Sequence, residues 1–469
     1  MEEIMRLNRG RHLSPQRAEK IIQSAGTILE KTGMKVSNRE YLEKLKGQDG
    51  ISVKGDRAYI SSTEYEKFLE KQKQSKTPVD KHGSRLHGEA SLYTYHYRDA
   101  ADGKIKEYTM ESLANIAKFV EKAGKFYPLN PVIPGYPNDV PAELSSLARY
   151  LVAAENCSGS WPAAPDSPVA AEYLFEMTAV MGQEMKHLPV YMVSPLTLGG
   201  DSLDIVVSNS SRLESFYTFS MPNMGVTTPM NISMGLAVVL AEVAGGAILV
   251  EKLTGLEGVI RPNLLPFDFK YFNIAFGSPE KFIYEQASVE LLGYIKDEEP
   301  DYSSTNIHTW GKEPDGRTGL EKGMMIMAGA MAGARRFYCI GTQSLDEVFD
   351  PLQMIQDLEG IVFAQRILDG LDADEVEDTL LEELEEGISA GFVSSDRSLD
   401  DYASYLASPD FSPKDNLQKW LQDGEKSSVE VLKEIYDKID RTESTYVLEK
   451  EKQQELRKIF DRAMKAVGQ

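Results

Sequence analysis

A tyrosine-rich segment is the first part of this sequence that could do chemistry. Residues 93–97 read Tyr-Thr-Tyr-His-Tyr, and in a strand the alternation of side chains would place Tyr93, Tyr95 and Tyr97 on one face. Such a face either packs into a core or forms an aromatic wall. An aromatic wall holds a quaternary ammonium group by cation–π attraction, worth about 0.5–2 kcal/mol per ring. We therefore predict that Tyr95, His96 and Tyr97 bind substrate.

A second candidate segment follows a predicted strand and precedes a loop rich in glycine and proline. Residues 303–311 read Ser-Ser-Thr-Asn-Ile-His-Thr-Trp-Gly, which combines hydroxyl and amide donors with one histidine and one tryptophan. Loops with this composition carry function more often than core elements do. We predict that His308 and Trp310 contact a ligand.

Two further residues are candidates because of their local sequence. Asp268 lies between Phe267 and Phe269, where a carboxylate is costly to bury without a partner. It either forms a salt bridge with a nearby cation, Lys270 or Arg261, or contributes to a ligand site. Asn223 lies in the loop of residues 220–229, before a helix predicted to begin near residue 231. The N-terminus of that helix could face an anionic group such as a carboxylate.

Several catalytic motifs are absent from the sequence. The six histidines form no HxH or HExxH motif, and Cys157 and Cys339 form no CxxC pair. These absences argue against a zinc site and against a disulfide framework. No GxSxG motif indicates a serine nucleophile, and no GxGxxG or GxxxxGK[ST] motif indicates a nucleotide site. We expect no metal bound by this chain.

The charge of the chain excludes other classes of partner. Its 469 residues carry 51 Lys and Arg against 73 Asp and Glu, a formal net charge of −22. Nucleic acids and anionic membranes attract basic surfaces, so we expect neither as a partner. The first residues are acidic and no apolar signal segment follows them, so we expect a cytoplasmic protein.

Short β-type runs alternate with helical stretches from about residue 88 onward. The predicted strands are 91–97, 128–133, 157–162, 189–193, 215–219, 258–260, 301–307 and 336–340, and the intervening helices are 141–154, 168–182, 200–210, 232–253, 279–294 and 318–333. Eight strands with intervening helices are typical of a (β/α)8 TIM barrel, within the α/β class. A doubly wound open sheet is the competing architecture.

The domain prediction follows from these patterns. Residues 1–85 form a helical N-terminal extension with a small hairpin, which ends in a linker at 71–85. Residues 86–345 form the barrel, and the helical residues 346–469 complete and cap it. Ser14 and Pro15 are the N-cap and first residue of the first helix, because serine caps helices and proline is tolerated at the first position.

Motifs distributed along the chain give a resemblance to one family. The segments are 28–36, 193–195, 221–229, 268–270, 276–280, 312–315, 319–322 and 371–374. In their order and spacing from about residue 10 to 460, the chain resembles the trimethylamine methyltransferase family, in its non-pyrrolysine branch. The resemblance implies a TIM barrel that moves a methyl group from an amine nitrogen to the cobalt(I) of a separate corrinoid protein. Cobalamin is then supplied by that partner, although free cob(I)alamin can substitute.

The trimethylamine enzymes of this family carry pyrrolysine in the region that matches residues 308–318, where this sequence has only ordinary residues. This departure favours a quaternary amine as substrate: glycine betaine first, with proline betaine, carnitine or γ-butyrobetaine as further possibilities. No catalytic acid or base is required, because the amine leaves as a neutral group and cobalt(I) is a strong nucleophile. The predicted substrate-binding set is Tyr95, His96, Tyr97, Asn223, Asp268, His308, Trp310 and Glu347.

Two alternatives remain open from the sequence. One is a metal-independent barrel lyase or isomerase on a small acid, with Asp268 and His308 as acid and base. The other is a non-catalytic protein that binds a betaine. Association of the chain with copies of itself is possible in each case.

Overall fold

The computed structural model describes residues 10–75, 84–90, 93–159, 164–370, 380–393, 395, 398–399 and 415–468. The predicted linker at 71–85, the predicted strand at 157–162 and the motif at 371–374 lie partly or wholly outside these residues.

Helices and short strands alternate along the chain. The helices are α1 Pro15–Lys31, α2 Arg39–Leu45, α3 Ser62–Gln74, α4 Met110–Ala123, α5 Ser145–Asn156, α6 Pro168–Val180, α7 Asp201–Ser208, α8 Ile232–Thr254, α9 Pro279–Lys296, α10 Gly316–Ala332, α11 Pro351–Asp369, α12 Leu380–Ala390, α13 Leu417–Gln422, α14 Ser428–Asp440 and α15 Lys450–Val467. The strands are β1 Met34–Val36, β2 Ile51–Lys54, β3 Arg57–Ile60, β4 His87–Ala90, β5 His96–Arg98, β6 Ile105–Glu107, β7 Leu129–Asn130, β8 His187–Tyr191, β9 Thr197–Leu198, β10 Ser215–Phe219, β11 Glu257–Arg261, β12 Phe267–Asp268, β13 Asn273–Ile274, β14 Ser304–Asn306, β15 Arg336–Ile340, β16 Thr342–Gln343 and β17 Val348–Phe349.

The N-terminal helix begins as its sequence predicts. The side chain of Ser14 accepts a hydrogen bond from the backbone N–H of Arg17, and Pro15 occupies the first helical position. The hairpin β2–β3 also forms, and β1 extends it by pairing with β3. On its other edge β1 pairs in parallel with β9, so this small sheet includes a strand from the middle of the chain.

The parallel strands form two groups. In one group β10 lies between β8 and β11, and in the other the order is β14, β15, β4 and β7. All of these pairings are parallel, and β15, the last of these strands in the sequence, pairs with β4, the first. Sequential parallel pairing that returns from the last strand to the first is the connectivity of a (β/α)8 barrel, so the predicted fold class is confirmed.

Side chains alternate along these strands between a helix-covered face and an interior face. In β10, Phe216 and Thr218 are buried, and the Thr218 hydroxyl donates to the Val243 carbonyl of α8 at 2.8 Å. Tyr217 and Phe219 point the other way and are only half-buried. The helices therefore cover one face of the strands, and the interior face of β10 stays partly exposed.

The predicted strand at 91–97 is wrong for residues 93–95, and residues 91–92 lie outside the described residues. The first parallel strand is β4, and β5 pairs antiparallel with β6 in a hairpin. Residues 93–95 lie before β5, so Tyr93, Tyr95 and Tyr97 do not alternate along one strand. The repeated tyrosines resemble a strand pattern, but hydrogen bonds from Tyr95 N and His96 N to the Glu347 carbonyl fix this segment against another loop.

Helix α8 is the most apolar element of the chain. Its 23 residues are long and apolar enough to cross a membrane by length and composition alone, yet 78% of its most apolar window is buried inside the structure. It packs against α1 and β1, where Leu29 and Met34 approach Gly245 closely, and against β10. Burial in the protein core therefore accounts for this composition. Glu242 is the buried acidic residue at its centre.

Candidate functional site

The interior ends of three adjacent parallel strands place three large side chains side by side. Tyr191, Phe219 and Arg261 are the last residues of β8, β10 and β11, and their Cα atoms are in register. The rings of Tyr191 and Phe219 meet edge to face with centroids 6.4 Å apart. The carboxyl ends of parallel strands are where barrel proteins bind their ligands.

Further tyrosines complete this group. The Tyr93 and Tyr191 hydroxyls lie 3.3 Å apart, and Tyr217 lies one pleat below Phe219. We call Tyr93, Tyr136, Tyr191, Tyr217 and Phe219 the aromatic cluster. Burial raises the pKa of Tyr136 to about 12, and burial also raises the pKa values of Tyr191 and Tyr217. The cluster therefore offers neutral ring faces and hydroxyl groups at physiological pH.

Arg261 is the cation nearest to this cluster on the strand ends. Its guanidinium lies over the Tyr217 ring, 4.2 Å from the centroid, and the side chain is exposed. Within the described parts of the chain no carboxylate forms an ion pair with it. Its hydrogen-bond donors are therefore free to receive an anion that enters the barrel, and a guanidinium binds carboxylates in a bidentate manner.

A second interior arginine is already neutralised. Arg336 in β15 donates to the Tyr338 hydroxyl at 2.8 Å and lies 4.0 Å from the Glu89 carboxylate of β4. The Asn130 amide also donates to Glu89, at 2.7 Å. This polar network crosses from β15 to β7, and it leaves Arg261 as the better candidate for an incoming carboxylate.

His308 lies in a separate buried group at the ends of β14 and β15. It is 7% exposed, its ring stacks on Phe276 at 4.4 Å, and its Nε2 lies 3.3 Å from the Cys339 sulfur. Its Nδ1 is buried without a hydrogen-bond partner. Burial, together with the nearby Lys281 and Lys322 ammonium groups, holds the pKa of His308 well below its usual value, so the ring is neutral.

Trp310 packs in the same region, against a small apolar cluster that includes Phe276 and Leu345. Its backbone N–H donates to the Glu321 carboxylate at 2.9 Å, which orients the loop after β14. The structure thus brings His308 and Trp310 together through Phe276, as expected for residues two apart in one loop. Their contact with a ligand stays a prediction.

The other predicted residues are dispersed. Tyr95 is 67% exposed, and Tyr97 packs against Tyr108 with ring centroids 5.3 Å apart. The backbone N–H groups of Tyr95 and His96 both donate to the carbonyl of Glu347, at 3.0 Å each. The Glu347 carboxylate is exposed and accepts a hydrogen bond from Ser344. These residues join the loops after β4 and β15, and none of them belongs to the aromatic cluster.

Asp268 and Asn223 each accept hydrogen bonds from backbone N–H groups of the loop in which they lie. Asp268 Oδ1 accepts from the backbone N–H groups of Lys270 and Tyr271, at 2.7 and 3.1 Å, so the expected salt bridge is replaced by a turn. The carbonyl of Asn223 accepts from Val226, Thr227 and Thr228. The side-chain oxygen of Asn223 is buried without a donor, and that atom keeps Asn223 a candidate for ligand contact.

Sequence reasoning missed Tyr191, Tyr217, Phe219 and Arg261. Three of them lie within predicted strands, at 189–193 and 215–219, and Arg261 directly follows the predicted strand at 258–260. Alternation along each strand would have selected them, because their neighbours Val190, Thr218 and Ile260 are the buried positions. The available signal was the inward-facing residue at the carboxyl end of each predicted strand.

The described residues contain no group of three or more histidine, cysteine or carboxylate side chains that could hold a metal ion. Cys157 and Cys339 are both buried and free. Burial raises the pKa of each thiol to about 12, so neither is a ready nucleophile.

Comparisons with known proteins show the family to which this chain belongs. A family model described as trimethylamine methyltransferase (MTTB) matches residues 3–468. The trimethylamine methyltransferase MttB of Methanosarcina barkeri is 23% identical over 293 residues, which cover 61% of this chain and 58% of that protein. MttB2 of Methanosarcina mazei is 24% identical over the same length and with the same coverage. The chain thus spans about 58% of the length of the curated relatives it matches.

Solved structures give a weaker likeness. The monomethylamine methyltransferase MtmB of Methanosarcina barkeri is 10% identical with a TM-score of 0.42, and the comparison covers 94% of this chain and 92% of that one. A hydroxylamine complex of MtmB is 11% identical with a TM-score of 0.41, covering 95% and 92%. At these scores the description of the fold rests on the strand pairings given above.

Proposed function

Because this chain belongs to the trimethylamine methyltransferase family, we propose that it moves a methyl group from a quaternary amine to the cobalt(I) of a corrinoid protein. The substrate is a small zwitterionic betaine, with glycine betaine as the first candidate and proline betaine, carnitine or γ-butyrobetaine as the others. The corrinoid is a second substrate that arrives on its own carrier protein.

One observation carries the choice of a zwitterion. Arg261 is exposed at the end of β11, has no carboxylate partner among the described residues, and lies next to the aromatic cluster. A betaine combines a carboxylate with a trimethylammonium group a few bonds away. Arg261 can receive the carboxylate while the cluster receives the ammonium. Trimethylamine has no carboxylate and would leave Arg261 without a role.

The aromatic cluster suits a quaternary ammonium group for two reasons. Ring faces attract a cation by about 0.5–2 kcal/mol each, and the attraction grows when water is excluded. A quaternary ammonium has no N–H to donate, so a site lined by hydrogen-bond acceptors would gain nothing from it. Neutral rings such as Tyr191 and Tyr217 provide attraction without that mismatch.

The proposed reaction needs no acid or base from the protein. The N–CH₃ bond breaks with its electron pair retained by nitrogen, the cobalt(I) electron pair forms the new Co–CH₃ bond, and a neutral dimethylamino group remains. No proton is transferred. The residues of this chain would therefore act by binding, by orienting the N–CH₃ bond toward the mouth of the barrel and by excluding water, which together account for large rate effects in positioned reactions.

A substrate panel tests this proposal. Wild-type protein is incubated with cob(I)alamin and, separately, with glycine betaine, choline, tetramethylammonium and trimethylamine, and formation of methylcobalamin is followed by absorbance. We expect glycine betaine to have the highest kcat/KM. Demethylation of trimethylamine at least as fast as of any betaine would contradict the proposal.

The variant Arg261→Gln sharpens the test, with Arg212→Gln as its matched control. Arg212 also stacks on an aromatic ring, Phe175 at 5.2 Å, but it precedes β10 and lies at the opposite end of the strands. Loss of a hydrogen-bonded charge pair costs about 1.5–3 kcal/mol, which is roughly a 10- to 100-fold rise in KM. We expect that rise for Arg261→Gln with glycine betaine but not with choline, and no change for Arg212→Gln. Equal effects on both substrates would remove Arg261 from carboxylate binding.

A further inference from the structure

Glu242 is a buried carboxylate at the centre of the apolar helix α8. It has 0% exposure, and within the described residues it forms no ion pair with a lysine, arginine or histidine. A carboxylate in such surroundings is costly to keep, because burial favours its neutral form. The fold must therefore compensate for it by other means.

Three hydrogen-bond donors surround the Glu242 carboxylate. Oε2 accepts from the hydroxyls of Ser194 and Ser220 at 2.8 and 2.7 Å, and Oε1 accepts from the backbone N–H of Leu196 at 2.9 Å. Burial raises the pKa of Glu242, and these three donors oppose that rise. Each donor bonds most strongly to the ionised form.

The donors belong to the two loops that begin at the aromatic cluster. Ser220 directly follows Phe219 at the end of β10, and Ser194 is the third residue after Tyr191 at the end of β8. Glu242 therefore ties the loop of β8 to the loop of β10 from behind. This fixes the spacing between Tyr191 and Phe219, whose rings meet edge to face.

The same placement puts the Glu242 carboxyl group behind the neutral rings of Tyr191 and Phe219, whereas the guanidinium of Arg149 lies over the Tyr136 ring, 5.7 Å from its centroid. The tyrosines of the cluster keep their protons, and the nearby Glu89 carboxylate is already neutralised by Arg336. Coulomb attraction over several ångströms remains substantial in a poorly solvated protein interior. Charge at Glu242 would act on a cation in the cluster without touching it.

We propose that Glu242 is a positioning residue that fixes the ends of β8 and β10 and supplies the countercharge for the ammonium group of the substrate. This inference rests on the proposed function and deepens it, since it names the residue that selects a cation over a neutral group of the same shape. The substrate ammonium and the Glu242 carboxylate attract each other electrostatically across the strand ends, without direct contact. The carboxylate end of the substrate is left to Arg261.

An isostere with a neutral tert-butyl group in place of the trimethylammonium group isolates the effect of the positive charge. 3,3-Dimethylbutanoate has the shape and the carboxylate of glycine betaine but carries carbon in place of nitrogen. Calorimetry gives the affinity of each compound for the full-length wild type, for Glu242→Gln and for Glu290→Gln. Glu290 is a matched control, because it is equally buried and accepts from the Leu13 N–H and the Tyr302 hydroxyl, far from the cluster.

We expect Glu242→Gln to lower the affinity for glycine betaine about tenfold, equivalent to about 1.4 kcal/mol. The affinity for 3,3-dimethylbutanoate should stay within about threefold of the wild-type value. Glu290→Gln should change neither affinity. Equal weakening of both compounds by Glu242→Gln would show a purely structural role and overturn the inference. So would unchanged affinity for both.

Glu242→Asp keeps the inference testable if the glutamine variant does not fold. It retains the charge, so the ratio of the two affinities should stay within about threefold of the wild-type ratio even where both affinities fall. Collapse of that ratio in Glu242→Asp would overturn the inference. Failure of wild-type protein to bind glycine betaine, proline betaine, carnitine and γ-butyrobetaine would overturn the proposed function, and this inference with it. Tight wild-type binding of glycine betaine with an unchanged affinity ratio in Glu242→Gln would overturn this inference alone.

Discussion

Arg261 and Glu242 lie on opposite faces of the same group of strand ends. Arg261 lies at the end of β11, exposed on the interior face, and Glu242 lies behind the ends of β8 and β10, on the side of α8. Tyr191 and Phe219 form one row with Arg261, because the three residues are in register at the ends of their strands. A zwitterion placed along this row would find an attractive charge for each of its ends, whereas a plain amine would use only one of them.

His308 distinguishes the proposed methyl transfer from acid–base catalysis. Its pKa is held well below the usual value by burial first and by Lys281 and Lys322 next, so it does not titrate near neutral pH. A lyase or isomerase that used it as an acid or base would lose roughly 10²–10⁴ in rate on its removal. In methyl transfer no proton moves, and loss of a binding contact mainly raises KM.

We therefore expect His308→Gln to keep kcat for methyl transfer within about tenfold and to raise KM, and Asp268→Asn to behave in the same way. Both are measured with cob(I)alamin and glycine betaine, after near-UV circular dichroism has shown that the variants are folded. Cobalt(I) generation is held constant between samples. A fall in kcat by about four orders of magnitude at unchanged KM in a folded variant would reopen the acid–base mechanism.

At the level of elements, the turn into α11 shows what burial does to one carboxyl group. Asp350 caps this helix by accepting from the backbone N–H of Leu352 at 2.8 Å, and it pairs with Arg98 at 3.1 Å. Burial nevertheless raises its pKa to about 6. The folded protein therefore retains a proton on Asp350, between about pH 4 and 6, that the unfolded chain has released. Stability from this group is present at low pH and is lost as the pH rises through 6.

Asp350→Asn should remove that dependence, because asparagine caps a helix comparably and does not titrate. Relative to wild type, the variant should gain about 1–3 kcal/mol of stability as the pH rises from 4 to 7. Thermal unfolding of both proteins at a series of pH values measures the difference. Since Arg98 loses its partner in the variant, only the change with pH is informative. A difference that stays constant or falls with rising pH would refute the pKa argument.

The sequence predicted most elements because their local signals are strong. Ser14-Pro15 begins α1, Asn231 caps α8, and the apolar runs of β10 and β15 appear at their predicted positions. The error at 93–95 arose because tyrosines alternate there although the strand begins only at His96. Hydrogen bonds to the Glu347 carbonyl, about 250 residues away in sequence, determine that segment, and no local pattern encodes them.

The predicted site residues do not come together at one place in the fold, for a related reason. His308, Trp310 and Asp268 were chosen from loops by residue type, but a loop side chain is oriented by its tertiary contacts. The row of Tyr191, Phe219 and Arg261 depends on the register of three strands, and pairing from distant parts of the chain sets that register. Asp268 accepts from two backbone N–H groups of its own loop, and Glu242 was not selected because it lies inside an apolar helix.

For the whole molecule, the strand pairings are those of a barrel, and the chain belongs to the trimethylamine methyltransferase family. The parallel strands return from β15 to β4, and their interior ends carry rings and a free guanidinium. With a net charge of −22 the surface would favour a carrier protein with basic patches. A betaine-binding protein without catalysis would share every one of these features except turnover.

The decisive measurement follows the N-methyl group of glycine betaine onto cobalamin by isotope labelling. The full-length protein is incubated with cob(I)alamin and glycine betaine deuterated in all of its N-methyl groups, and both products are identified by mass spectrometry. The account predicts methylcobalamin with a fully deuterated methyl group and an equal amount of dimethylglycine that keeps its remaining labelled methyls, with Arg212→Gln as active as wild type and Arg261→Gln slowed. Tight binding of the labelled betaine with no label on cobalamin would contradict it, as would dimethylglycine formed without labelled methylcobalamin.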